Sequence, residues 1–88
     1  LSQNYPNPFN PVTKIKFDIP RWRGEGGWTT TLRVYDITGR EIQTLINEKL
    51  QPGTYETTFD GSSLSSGVYF YKLIANGHSE TKKMLLLK

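Results

Sequence analysis

No stretch of this chain sustains a helical period, whereas apolar and polar residues alternate in short runs, each closed by turn-forming residues about ten positions on. Side chains on a strand point to opposite faces in turn, so such runs bury one face and wet the other. From Thr13 to Ile19, Ile15, Phe17 and Ile19 point one way and Lys14, Lys16 and Asp18 the other. Pro20 ends that strand, and the three glycines between Arg21 and Gly27 suit a surface loop flanked by Trp22 and Trp28. A second strand is predicted from Thr29 to Tyr35, with Leu32 and Val34 on one face and Arg33 and Tyr35 on the other. Asp36-Ile37-Thr38-Gly39 then supplies turn chemistry, because Asp bonds the backbone ahead of it and Gly takes positive φ. Glu41 to Ile46 is the returning strand, where Ile42 and Leu45 break strict period and leave room for a bulge.

Gln51-Pro52-Gly53 makes the next turn, after which Tyr55, Thr57 and Phe59 alternate with Thr54, Glu56 and Thr58. Asp60 to Gly67 is a polar connection with Leu64 as its single plug into the core. The fifth strand runs from Val68 to Ala75, and Asn76-Gly77 is the strongest hairpin signal, since both central residues of a type I′ turn need positive φ. The sixth strand closes the domain with its register open: Met84 and Leu86 compete with Leu85 and Leu87 for the inner face. Pro6, Pro8 and Pro11 hold the first eleven residues extended, and Tyr5 and Phe9 are expected to anchor that strap. These signals predict an all-β fold, an immunoglobulin-like antiparallel β-sandwich of six to seven strands. It occupies one domain over residues 1–88, with the strap over 1–11 and the sandwich over 12–88. A seventh strand has two candidate places, Glu48-Lys49-Leu50 or the strap, and a small open barrel is the alternative topology.

Little in the sequence points to catalysis. Without cysteine there is neither a thiol nucleophile nor a cysteine-ligated metal, while the compartment stays open. His78, the single histidine, follows the Asn76-Gly77 turn, where exposure is expected. Asp18, Asp36 and Asp60 are each explained by a strand face or a turn, and Ser62 to Ser66 have no base in sequence reach. No catalytic residue, metal site or cofactor is therefore predicted. The net charge of +3 comes from eleven basic and eight acidic residues spread along the chain, which gives no phosphate-binding cluster and predicts no nucleic-acid partner. The apolar run Met84 to Leu87 is far short of the roughly 20 residues that cross a bilayer, so no membrane insertion is expected. Leu1-Ser2-Gln3 does not begin a signal peptide, and the chain reads as a piece of something longer. Trp22 and Trp28 are the one candidate for ligand stacking, as aromatic faces on a sandwich loop can lie against sugar rings.

Several short words recur in a fixed order: Asn4-Tyr5-Pro6-Asn7-Pro8-Phe9-Asn10-Pro11, Ile15-Lys16-Phe17, Val34-Tyr35-Asp36 with Gly39-Arg40, Asp60-Gly61, Leu64, Gly67-Val68-Tyr69, and Lys82-Lys83-Met84 before Lys88. Together they resemble the type A C-terminal sorting domain of type IX (Por) secretion over nearly the whole chain. The long Arg21 to Trp28 loop departs from the family, which has a shorter turn there. The resemblance implies a non-catalytic immunoglobulin-like domain behind an N-terminal cargo domain in the same parent chain. It also implies export through the outer membrane by way of the periplasm, and a secreted or cell-surface location. The implied partners are an outer-membrane translocon and a sortase-like protease. Gly67, Val68, Tyr69, Lys82, Lys83, Met84 and Lys88 are the candidate recognition residues, offering an ordered last strand as a pairing edge with a cationic tag. The same lysines would also guard an edge strand against aggregation. A similar immunoglobulin-like domain in flagellar hook-capping proteins implies the alternative, a structural assembly role, and an accessory carbohydrate-binding module is the other.

Overall fold

The computed structural model describes residues 1–20 and 27–88. Its six strands are β1 (Val12–Ile19), β2 (Trp28–Tyr35), β3 (Glu41–Leu50), β4 (Gly53–Asp60), β5 (Gly67–Ala75) and β6 (His78–Leu86). They form two antiparallel sheets, β1-β4 and β3-β2-β5-β6, facing each other as a sandwich. The alternation read from sequence decides which side chains meet between them. Ile15, Phe17, Ile19 and Phe59 come from the smaller sheet, and Leu32, Val34, Tyr71, Leu73, Met84 and Leu86 from the larger. The register of β6 is thereby settled: Met84 and Leu86 are buried, Leu85 is half-buried and Leu87 lies in solvent.

Local chemistry sets the connections. Asn76 and Gly77 both take positive φ, 49° and 82°, as a two-residue hairpin between β5 and β6 requires. In the β2–β3 turn one oxygen of Asp36 accepts from the Thr38 N–H, the Thr38 hydroxyl and the Arg40 N–H, at 2.9, 2.5 and 3.0 Å. The register of β2 against β3 slips twice, past Leu45 and past Ile42, so the expected bulge is in fact two. Both residues still contact the core, which is what breaking the strict period achieves. Glu48-Lys49-Leu50 belongs to β3 and is not a separate strand.

The strap passes from one sheet to the other. Tyr5 and Lys14 exchange both backbone hydrogen bonds at 3.0 Å, an antiparallel bridge to β1. Four residues on, the Phe9 N–H donates to the Leu85 carbonyl and the Leu87 N–H donates to the Phe9 carbonyl, both at 3.0 Å, a parallel bridge to β6. The strap thus closes one side of the sandwich, the place of a seventh strand. Phe9 is 1% exposed and meets Phe59 edge to face at 6.0 Å. Tyr5, expected as a second anchor, is 81% exposed. It pairs with Lys14, an outward position of β1, so its ring follows Lys14 into solvent and the neighbouring Asn4 turns inward. Asn4 is buried in a polar knot: its N–H donates to the Tyr71 hydroxyl at 2.8 Å, and its amide nitrogen donates to Thr13 Oγ1 at 3.1 Å. The Tyr71 hydroxyl donates in turn to the Ser2 carbonyl at 2.8 Å.

Replacing Tyr71 by Phe leaves the buried Asn4 N–H without its acceptor, so Tyr71→Phe should cost about 2 kcal/mol in urea unfolding at neutral pH. Burial pushes the Tyr71 phenol above its ordinary value, so its contribution is complete below pH 10 and is lost as pH rises through the raised value. The stability gap between wild type and Tyr71→Phe should accordingly narrow above pH 10; a gap independent of pH would contradict the assignment. Phe9→Ala should cost about 3–5 kcal/mol, measured in the same way.

Candidate functional site

The residues singled out on the final hairpin divide between its two faces. Tyr69 and Met84 are directly paired, point inward and are buried, and the Tyr69 hydroxyl donates to the Ser65 carbonyl at 2.7 Å. Gly67 opens β5 at φ +154°, a conformation that side chains disfavour, with open space around its Cα. These three shape the fold and offer a partner no side-chain surface. Lys82, opposite Tyr71, lies half-buried at the inner margin. Val68 and Lys83 point outward. Lys88 folds over the β4–β5 connection, its Nζ donating to the Ser62 carbonyl at 2.6 Å and its N–H to Ser66 Oγ at 2.9 Å.

The free pairing edge expected of the last strand is taken by the strap between Lys83 and Leu87. Besides the two Phe9 bonds, Gln3 Nε2 donates to the Lys83 carbonyl at 2.7 Å and the Leu85 N–H donates to Asn7 Oδ1 at 3.0 Å. Sequence could not show this, because the strap meets β6 some eighty positions away and one contributor is an asparagine side chain.

What the hairpin does present is the outward face of the larger sheet. Val68 pairs with Leu85, and Phe70 lies between Tyr35 on β2 and Lys83 on β6; all but the exposed Lys83 are half-buried. In the next row Arg33 stands directly opposite Lys72. The Arg33 Nε ion-pairs with Glu41 at 3.5 Å without making a hydrogen bond. Phe70, Lys72 and Leu85 lie within the Gly67 to Lys88 stretch expected to carry recognition but were not singled out there, and Arg33 and Tyr35 lie outside it. The available signal was β5 itself, whose near-continuous run Val68-Tyr69-Phe70-Tyr71 is apolar on both faces.

The remaining candidates have structural roles or fall elsewhere. Trp28 is half-buried and stacks on His78 with ring centroids 6.1 Å apart and planes at 23°, while Trp22 lies outside the described residues. Trp28, His78, Leu73 and Asp18 border a cleft of about 680 Å³. Asp18 accepts the Thr54 hydroxyl at 2.8 Å. Asp36 is held below the ordinary carboxylate range, chiefly by the Thr38 hydroxyl, and Asp60 likewise by the Ser62 backbone N–H. Among the described residues no three histidine, aspartate or glutamate side chains are grouped to hold a metal ion.

With this geometry in place, comparison with family models matches residues 3–87 to the secretion system C-terminal sorting domain. Comparisons with curated proteins and with solved structures return no match.

If Tyr69 and Met84 act through the core, Tyr69→Ala and Met84→Ala should each lower stability by about 3 kcal/mol, whereas Lys83→Ala should stay within about 0.5 kcal/mol of wild type in thermal or urea unfolding. A destabilised Lys83→Ala would place that side chain in the folding role instead.

Proposed function

This chain belongs to the C-terminal sorting domains of type IX secretion, and on that premise we propose that it carries its parent protein from the periplasm through the outer membrane to the cell surface. The observation that carries the reading is the extent of the family match, from the strap to the end of β6. In this reading the domain does no chemistry of its own. It is held by an outer-membrane translocon and then by a sortase-like protease, with an N-terminal cargo domain in the same parent chain.

The fold suits a signal that is read after folding. Its edge β1 is tied to the strap at Lys14 and Lys16 and β6 from Lys83 to Leu87, so along those stretches a receptor meets side chains and not unpaired backbone. Within Gly67 to Lys88, Val68, Lys83 and Lys88 are the members a receptor would touch. Gly67, Tyr69 and Met84 hold those three in place, and Lys82 lies at the margin between the two groups.

Fusing the domain to the C-terminus of a periplasmic reporter in a type IX-competent bacterium should move the reporter to the cell surface or the medium. Reporter that folds but stays in the periplasm would refute the proposal.

A further inference from the structure

Resting on that sorting role, we propose that the receptor docks on the outward face of β3-β2-β5-β6, centred on Phe70, and presents carboxylates to Arg33, Lys72 and Lys83 around an apolar contact. Three observations converge on this face.

The first is charge. Among the described residues, Lys49, pairing with the outward Thr29, joins Arg33, Lys72 and Lys83 on this face against the single acid Glu41. That is a net of +3, the net charge of the whole chain, and it leaves the other seven basic and seven acidic residues in balance. Folding therefore gathers onto one surface a charge that looks dispersed in the sequence. Among the described residues Lys49, Lys72 and Lys83 form no ion pair.

The second is the pairing of Arg33 with Lys72. Like charges directly across a ladder destabilise a sheet. Glu41 ion-pairs with the Arg33 Nε at 3.5 Å without a hydrogen bond, and among the described residues no acid pairs with Lys72. Lys72 thus faces a like charge with no acid of its own, which marks a place where an external group supplies one. A carboxylate set over both cations does so, and discriminates against partners lacking one.

The third is the apolar centre. Tyr35, Phe70, Val68 and Leu85 adjoin the cations, giving an aromatic middle with a charged rim, the anatomy of a protein–protein contact. The outward face of the β1-β4 sheet is the internal control. Lys14 and Lys16 there both pair with Glu56, at 3.7 and 3.8 Å, among Thr54, Thr58 and Asp18, as a solvated face should.

The test uses the reporter fusion with Lys72→Glu and with the double change Lys72→Glu/Lys83→Glu. Lys72→Glu relieves the repulsion with Arg33, so the melting midpoint should hold or rise. Export should nevertheless fall about tenfold, further in the double variant, and Lys72→Arg should restore it. Loss of export without loss of stability is a result a merely structural role would not give. Wild-type export with both charge-reversed fusions exported equally well would overturn this surface and leave the sorting role standing. A wild-type fusion retained in the periplasm would remove the sorting role, and this proposal with it. Binding of the isolated domain to phosphatidylglycerol vesicles or duplex DNA, abolished by Lys72→Glu, would assign the face to a polyanion and overturn a protein partner.

Discussion

Backbone hydrogen bonds at Ser2 and Tyr5 to β1 and at Phe9 to β6 make one fold out of two sheets of unequal size. A two-stranded sheet cannot cover a four-stranded one, and the core between them would stay wet along one side. The strap closes that side by pairing first with β1 and then with β6. Phe9 fills the gap between them, and Asn4, Thr13 and Tyr71 satisfy one another where the chain crosses over. The polar knot is sound because its buried donors find acceptors, which is the condition for burying such groups at all. The strap, expected from its aromatics to dock, is therefore a structural part of the sandwich.

Closing the β1 and β6 side has a functional consequence. An unpaired edge strand invites any extended chain, a poor basis for selective recognition and a standing aggregation hazard. Here the edge nearest the end of the chain is occupied by the protein's own N-terminal segment, and β3, at the other margin of that sheet, is interrupted by two bulges. Specificity then has to come from side chains on a face. That separates the signature words into residues that hold the hairpin in shape and residues that project from it.

The sequence exposed much of this and concealed the rest for identifiable reasons. Strand alternation located all six strands, because burial on one face imposes a period of two. Asn76-Gly77 and Asp36 to Gly39 were legible because their backbone conformations demand those residue types. The break at Ile42 and Leu45 was visible as a bulge, though not that it was double. Tyr5 misled because an aromatic among prolines suggests an anchor, while its orientation was fixed by a backbone pairing with Lys14 that no local pattern encodes. The register of β6 could not be read from four consecutive apolar residues, since such a run offers two equivalent faces. The gathering of Arg33, Lys49, Lys72 and Lys83 depends on pairings between strands far apart in sequence, so their dispersion along the chain was true and uninformative.

The same pairings put stability and recognition in tension at one spot. Every strong stabilising element lies between the sheets or under the strap, where apolar residues interlock and polar ones are matched. Arg33 is matched only by Glu41 at 3.5 Å and Lys72 by no acid among the described residues, although a glutamate at position 72 would relieve the like-charge pair. A small domain whose second sheet has only two strands has little stability to spare, which makes a like-charge pair there costly. A cation pair retained under that constraint is better explained by what it attracts from outside than by anything it does for the fold.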